Sequence, residues 1–293
     1  MDLVSAQLAV GVYKTRNRVW REIVARIPSV RATVQWRYET RLLEHAPHLK
    51  PLPWPQQRLV RAVARSGVAI CDLDELGLSG TAELKASAAR LVATMQRTSA
   101  PSRWDDLTEL DAWRWGLRED VLDLVESYLG LPPRYVGAEL RRESADGQSY
   151  GARRWHRDIE DHRMFKILVW LDAVGPGDGA FEWIPSWLTD DVNTTLRYVS
   201  GMRTEREMAR WPRYAAEGPR WTAVLADTRK VFHRAGIPLH RDRYSLTFVW
   251  SSRHPIRIYN PGERVSVEHA AQFTRDLNAR QLACLPPKIA RAR

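Results

Sequence analysis

The segment His156-Arg157-Asp158 places an imidazole and a carboxylate two residues apart, directly before the apolar run 164–171. Side chains two residues apart on an extended segment lie on the same face, so His156 and Asp158 can bind one metal ion from one side. The best candidate for a third ligand is His233. Two imidazoles and one carboxylate form the facial triad of non-haem Fe(II) sites, which leaves coordination positions open for chemistry. These three residues are the predicted metal ligands.

The chain holds a second copy of this motif, His240-Arg241-Asp242. This copy lies in a turn-like stretch, and its downstream partners His254 and His269 are too close in sequence to lie across a sheet. We interpret it as structural. A kinase interpretation of the first copy fails, because no Asn follows Asp158 by five residues and no Asp-Phe-Gly motif or Gly-rich loop is present.

Arg243 follows His233 by ten residues and begins the apolar run 243–250. If that run is a strand beside the one that carries His233, the guanidinium can point into the same cavity as the metal ligands. A guanidinium binds a carboxylate through paired hydrogen bonds, which an ammonium cannot match. Arg243 is therefore the predicted anchor of a dicarboxylate.

Elements of two kinds must position these residues. Amphipathic helices are predicted first along the chain, at 4–45 (one or two helices), 56–66, 81–97 and 118–128. Short strands separated by Gly, Pro and Asp are predicted at 68–73, 135–142, 164–173, 180–185, 221–226, 229–233 and 243–250. A further helix is predicted at 202–216. This pattern predicts an α+β fold with a sandwich or barrel of short strands.

Three prolines between residues 51 and 55 indicate a connector rather than a helix. We therefore predict two parts: an N-terminal helical extension, residues 1–55, packed on the core, and a main domain, residues 56–293.

Composition excludes several classes of protein. Hydrophobic residues make up 44% and charged residues 27% of the chain, as in an ordinary globular protein. The net charge of +10 is scattered along the sequence among 35 acidic residues, so nucleic-acid binding is not favoured. No apolar run is long enough to span a bilayer, and the N-terminus lacks a secretory signal. Cys71 and Cys284 indicate neither a disulfide framework nor a zinc site. A cytoplasmic location is predicted.

The sequence resembles the phytanoyl-CoA dioxygenase family of Fe(II)- and 2-oxoglutarate-dependent oxygenases over roughly residues 56–255. The matching pieces occur in the family's order, and they are Trp155-His156-Arg157-Asp158, Ile167–Asp172, Gly177-Asp178-Gly179, Phe181–Ser186, Phe232–Gly236 and Arg243-Tyr244-Ser245. Two features depart from the family pattern. A usual Pro-Gly-Ser-His turn is replaced by Pro185-Ser186-Trp187, and the spacing from His233 to Arg243 is one residue shorter than is common. Arg241 is therefore a competitor for the anchoring role.

The resemblance implies a double-stranded β-helix core of the jelly-roll or cupin type, with flanking helices, in a dioxygenase domain at 56–293. It implies Fe(II), 2-oxoglutarate and O₂ as cofactors, with His156, Asp158 and His233 as iron ligands. Arg243, Trp170 and Ser245 are the implied residues of the 2-oxoglutarate site. The implied reaction forms succinate and CO₂ while a substrate C–H bond is oxidised. Because halogenases of this kind lack the carboxylate ligand, Asp158 favours hydroxylation, desaturation or ring chemistry.

The substrate is expected to be a small organic acid or a secondary metabolite. Arg153, Arg154, Arg157 and Lys166 lie near the predicted mouth, where they either attract an anionic substrate or are exposed charges beside the site. The alternative function is an Arg-rich jelly-roll module with a vestigial metal site that binds an anionic ligand or nucleic acid. Such binding would weaken steeply with salt and would not need iron.

Overall fold

The computed structural model describes residues 19–20, 23–24, 26–97, 103–104, 110–256 and 267–290. Its strands are β1 (Val68–Asp72), β2 (Arg103–Trp104), β3 (Pro133–Glu143), β4 (Phe165–Trp170), β5 (Phe181–Trp183), β6 (Tyr214–Ala215), β7 (Thr222–Asp227), β8 (His233–Ala235) and β9 (Arg243–Ser252). Six strands form a large sheet in the order β1-β7-β4-β9-β3-β2, and three form a small sheet in the order β6-β5-β8. All strand pairs are antiparallel.

The helices are α1 (Pro28–His45), α2 (Trp54–Ser66), α3 (Thr81–Arg97), α4 (Leu110–Trp115), α5 (Glu119–Leu129), α6 (Thr189–Leu196), α7 (Glu205–Met208), α8 (Val267–Thr274), α9 (Ala279–Ala283) and α10 (Pro287–Ala290). Most of them precede the central strands or follow β9. The mixture of helices with antiparallel sheets confirms the predicted α+β class.

The middle strands of the large sheet are covered on both faces. Apolar side chains of one face pack with α2, α3 and α5 in the largest hydrophobic cluster of the described residues. The opposite face turns toward the small sheet, where Trp170, Phe181, Val224 and Val231 form a second cluster. Because β4, β7 and β9 lie in the middle of the sheet, their β-branched and aromatic residues are covered from both sides.

Three predicted helices have bounds close to the predicted ones. The helix α2 ends at Gly67, which has φ of +84°, and α5 ends at Gly130, which has φ of +70°. Glycine adopts this left-handed conformation without the steric cost of a Cβ atom, so both positions end a helix as expected. The helix α3 has the predicted bounds, and it buries Leu84, Ala88 and Leu91.

The predicted helix at 202–216 is wrong. Only Glu205–Met208 is helical, and Tyr214–Ala215 belongs to the small sheet. The Thr204 side chain and Glu207 form a capping box that starts the helix. Pro212 cannot donate a backbone hydrogen bond, which prevents a longer helix.

Two further differences lie beside the site. The helix α6 was not predicted, because Thr, Asp and Asn dominate its eight residues. Its formation is supported by tertiary packing, since Val192 is buried in a cluster with Trp155 and Phe232. The strand predicted at 229–233 begins only at His233, because the Asp227 carboxylate accepts hydrogen bonds from the backbone of the two residues that follow Thr228 and so forms a turn.

The described part of the N-terminal extension contacts the main domain. Tyr38 in α1 stacks on His162 with ring centroids 4.0 Å apart. His45 at the end of α1 lies 2.8 Å from the Glu126 carboxylate. The domain boundary at residue 55 stays a prediction, and residues 4–18 of the first predicted helical region lie outside the described residues.

A search of the described ranges finds no helix with both the length and the apolar character needed to cross a membrane.

Candidate metal centre

Three predicted ligands meet at one point of the fold. One donor atom each from His156, Asp158 and His233 lies within 4.8 Å of the other two. The imidazole rings of His156 and His233 have centroids 4.3 Å apart, and Nε2 of His156 lies 3.9 Å from Oδ1 of Asp158. These separations suit three ligands of a single metal ion.

Backbone pairing brings the ligands together. His156 and His233 form an isolated antiparallel bridge, in which each backbone N–H donates to the carbonyl of the other at 3.0 and 2.9 Å. The backbone N–H of Asp158 donates to the carbonyl of Thr228 at 2.9 Å. The segment that contains the His-x-Asp motif therefore extends the small sheet beside β8, and residues 77 positions apart share one site.

Each histidine is oriented by a backbone carbonyl. Nδ1 of His156 lies 2.8 Å from the carbonyl oxygen of Arg154, and Nδ1 of His233 lies 3.3 Å from that of Val231. Because a carbonyl can only accept, Nδ1 carries the proton in both rings, and Nε2 keeps its lone pair for a metal. Burial and the neighbouring His156 hold the pKa of His233 well below its usual range, so its ring is neutral.

The Asp158 carboxylate has one oxygen engaged by protein and one directed to the histidines. Its Oδ2 accepts a hydrogen bond from the Thr228 hydroxyl at 2.5 Å and pairs with the Lys166 ammonium at 2.6 Å. Burial alone would raise the pKa of Asp158, but the charge of the Lys166 ammonium and its hydrogen bond hold this pKa well below its usual range. The carboxylate is therefore charged, and Oδ1 can bind a metal.

A cavity of about 120 Å³ lies between the two sheets, and two of the three ligands, His156 and His233, line it. Its lining includes all the predicted residues of the 2-oxoglutarate site, and the residues are Glu139, Arg141, Ala152, His156, Lys166, Leu168, Trp170, Phe181, Thr228, His233, Ala235, Arg243, Ser245, Thr247 and Val249. Trp170 and Ser245 are directly paired on neighbouring strands, which explains why both reach this space.

Arg243 lies in this cavity and has unused donors. Its side chain is 4% exposed, and the guanidinium carbon lies 5.1 Å from the centroid of the Trp170 ring. Nε and Nη1 are buried and have no hydrogen-bond partner. Burial lowers the pKa of Arg243 to about 10, which leaves it charged at neutral pH. A buried cation with free donors is costly unless an anion binds it.

The competitor Arg241 points away from the cavity. Its side chain is 51% exposed and pairs with the Asp178 carboxylate at 2.9 Å. It also donates to the carbonyl of Ala173 at 2.5 Å. The second His-x-Asp motif does not line the cavity either. His240 and Asp242 are exposed, and Asp242 accepts a hydrogen bond from the backbone N–H of Ala145.

The four basic residues predicted at the mouth of the site differ in their environments. Arg153 is 1% exposed and donates to Glu143 at 2.8 Å, so it is neither an exposed charge nor available to a substrate. Lys166 is engaged by Asp158, and Arg157 donates to the backbone carbonyl of Arg229. Only Arg154 of the four is exposed.

Two contacts with the predicted ligands were not foreseen from the sequence. Thr228 holds both the backbone and the carboxylate of Asp158, and Phe181 stacks on His233 with centroids 5.5 Å apart. The alternation of β5 predicts that Phe181 faces the same side as Trp183, but no local signal indicates that Thr228 reaches across to Asp158.

No protein-family model matches this sequence, and no curated protein matches it. Solved structures are similar over most of the chain. AviO1 from Streptomyces viridochromogenes Tue57 is 19% identical with a TM-score of 0.48, over 70% of this chain and 98% of that one. The non-heme alpha ketoglutarate dependent epimerase SnoN from nogalamycin biosynthesis is 16% identical with a TM-score of 0.48, over 70% and 86%.

EctD from S. alaskensis, with bound Fe, is 16% identical with a TM-score of 0.48, over 72% of this chain and 85% of that one. Similarities at this level carry no inference about function. The function is therefore argued from the site itself.

Proposed function

We propose that this protein is a non-haem Fe(II)- and 2-oxoglutarate-dependent oxygenase. One observation carries the proposal: two imidazoles and a charged carboxylate converge beside a cavity that also holds a buried, incompletely hydrogen-bonded arginine. A metal ion at the three donors and a dicarboxylate at Arg243 would satisfy both unusual features at once. Open coordination positions beside a dicarboxylate site are what this chemistry needs.

The donor set fits iron. Two Nε2 lone pairs and one carboxylate oxygen form the 2-His-1-carboxylate set of non-haem Fe(II) oxygenases, whereas structural zinc sites use four ligands. His156, Asp158 and His233 would hold the metal through Nε2, Oδ1 and Nε2. When bound, iron with 2-oxoglutarate and O₂ supplies the oxidising chemistry, and succinate and CO₂ are the co-products.

The remaining cavity residues would bind and orient the co-substrate. The Arg243 guanidinium, whose Nη1 has no partner in the protein, would donate paired hydrogen bonds to the distal carboxylate of 2-oxoglutarate. The hydroxyl of Ser245, two residues along the same strand face, would add a further donor, and the ring of Trp170 forms an apolar wall. These residues would bind the distal carboxylate and orient the co-substrate toward the metal ligands.

The strand order supports a double-stranded β-helix for the core. From β4 onward, successive strands lie in the large, small, small, large, small and large sheets. The bridge between His156 and His233 adds the His-x-Asp segment to the edge of the small sheet. The ligands and the cavity then lie between two facing sheets, as a jelly-roll core requires.

Hydroxylation of an aliphatic C–H bond is the reaction that we propose. Asp158 occupies the carboxylate position, so no ligand site is vacated for a halide. We propose a small organic acid or secondary metabolite as the substrate.

The test is the metal-to-ligand charge-transfer absorption that forms when Fe(II) and 2-oxoglutarate are added without air. We expect a visible band for the wild type and none for His156→Ala or His233→Ala. His240→Ala is the matched control, because His240 is exposed in the second His-x-Asp motif, and it should keep the band. If both ligand variants kept the band, the proposal would be wrong. If the ligand variants lose the band, succinate release measured with a panel of acids and natural-product scaffolds would identify the substrate.

A further inference from the structure

A second cavity, of about 370 Å³, shares no lining residue with the cavity beside the metal ligands. Its lining includes four of the chain's cations, and the residues are Ala64, Tyr128, Arg157, His162, Arg163, Ser186, Thr189, Asp190, Asp227, Arg229 and Lys230. We refer to it as the basic cavity. Its volume is at the lower end of the roughly 300–1,000 Å³ range of small-molecule sites.

The cations of the basic cavity have only neutral partners. Arg157 donates to the carbonyl of Arg229 and to the Asn193 side chain, and Arg163 donates to the carbonyl of Tyr128 at 2.6 Å. Lys230 donates to a backbone carbonyl of α2. Within the ranges that the structure describes, none of these cations forms an ion pair. Their charge is therefore not neutralised by the protein.

Arg229 is the clearest case. Among the described residues, its guanidinium makes neither a hydrogen bond nor an ion pair, although its donors line the cavity. Burial lowers the pKa of Arg229. The negative charges of nearby carboxylates partly offset this lowering of the pKa, but these carboxylates do not contact the guanidinium.

The two acidic residues of the lining do not form ion pairs with these cations. The Asp227 carboxylate accepts from the Tyr128 hydroxyl at 2.5 Å and from the backbone N–H groups of Met164 and Arg229. Burial also raises the pKa of Asp227. Asp190 is exposed at the start of α6. The cavity therefore has an excess of positive charge.

The start of α6 contributes to the lining of the cavity. The backbone N–H of Thr189 donates to the carbonyl of Ser186, and both residues line the cavity. The Thr189 hydroxyl donates to the carbonyl of Lys230 at 2.8 Å and so fixes the helix beside this lysine.

We propose that the basic cavity binds the phosphate-type dianion of a small molecule. Three arginines and one lysine without an ion-pair partner line the cavity, and their combined charge suits a dianion with several acceptor oxygens better than a single carboxylate. The cavity leaves space for an organic group beyond the phosphate. None of the lining residues is a predicted metal ligand.

Binding is tested with the full-length chain free of iron and 2-oxoglutarate, by isothermal titration calorimetry at constant ionic strength. The probes are inorganic phosphate, glycerol 3-phosphate and succinate. We expect saturable binding of both phosphates and much weaker binding of succinate. Arg229→Met and Arg163→Met should each weaken phosphate binding about tenfold or more, because each removes a charge-assisted hydrogen bond.

The matched control is Arg206→Met, which removes an exposed arginine of α7 outside the cavity. It should bind phosphate as the wild type does, and thermal unfolding checks that all three variants are folded. If Arg229→Met and Arg163→Met bound phosphate as tightly as the wild type, the proposed site would be wrong. It would also be wrong if Arg206→Met lost as much phosphate affinity as these two variants. Succinate binding as tight as phosphate would overturn the ligand class. Exclusion of glycerol 3-phosphate would overturn the inference of an organic group.

Discussion

The two faces of the large sheet differ in what they bury. Along β9, the side chains of Tyr244, Leu246, Phe248 and Trp250 belong to the apolar cluster under the helices. The alternate residues Arg243, Ser245, Thr247 and Val249 line the metal cavity. Because side chains alternate across a strand, one sequence serves both purposes with a period of two. The helix face supplies stability, and the cavity face supplies polar groups that cost stability and that we propose bind ligands.

The largest expected effect tests this division directly. Phe248 is fully buried and its ring centroid lies 4.7 Å from that of Trp115. Phe248→Ala should lower the free energy of unfolding by about 3–5 kcal/mol. Its neighbour on the other face, Thr247, lines the cavity, and Thr247→Ala should cost less than about 1 kcal/mol. Denaturant unfolding measures both, and similar losses would show that the two faces do not differ as described.

Arg243→Met should weaken ligand binding without lowering stability. Removal of a buried cation with free donors should leave the free energy of unfolding unchanged or raise it. Affinity for 2-oxoglutarate should fall by roughly 2–5 kcal/mol, since a buried charge pair is lost. Arg241→Met is the control and should bind 2-oxoglutarate as the wild type does. Anaerobic titration of the charge-transfer band measures the affinity, and a greater loss in Arg241→Met would reverse the assignment.

Thr228→Val removes the hydroxyl that holds Oδ2 of Asp158. Loss of such a supporting contact should weaken Fe(II) binding about 10- to 100-fold. Thr228→Ser keeps the hydroxyl and should restore most of the affinity. Competition with a coloured chelator provides the measurement, and equal affinity of Thr228→Val and wild type would mean that the hydroxyl does not position the ligand.

The smallest effect concerns pH and lies outside both faces. Burial, with Arg229 and Arg163 nearby, lowers the pKa of His162 to about 4. Below pH about 6.5, the unfolded chain binds a proton at this residue that the folded chain does not. Its contribution to stability is therefore complete above pH about 6.5 and is lost as the pH falls toward 4.

His162→Gln should remove this dependence, which amounts to about 1–2 kcal/mol at pH 5 after allowance for partial exposure. Denaturant unfolding of both proteins at pH 7 and pH 5 measures it. An identical loss of stability in the two proteins between these pH values would contradict the assignment to His162.

The sequence was most informative where one local pattern decides the structure. The helices predicted at 56–66 and 118–128 end at glycines 67 and 130, and the run 243–250 is a strand that begins at Arg243, as predicted. The order of motifs also predicted that His156, Asp158 and His233 meet at one site. These features depend on steric rules and on side-chain periodicity.

Other features depend on contacts between distant segments and could not be predicted. Nothing local indicates that Thr228 supports Asp158, or that Arg153 is buried against Glu143. The choice between Arg241 and Arg243 required the position of Asp178, which pairs with Arg241. The basic cavity likewise joins residues from five separate segments, whose charges are scattered along the sequence.

The most direct measurement is an anomalous difference map at the iron edge, from crystals grown without air with Fe(II) and 2-oxoglutarate. We predict one peak within bonding distance of His156, Asp158 and His233, with the distal carboxylate of 2-oxoglutarate on Arg243. A peak bound elsewhere, or no peak at these three residues in crystals that contain iron, would contradict the metal centre proposed for this protein.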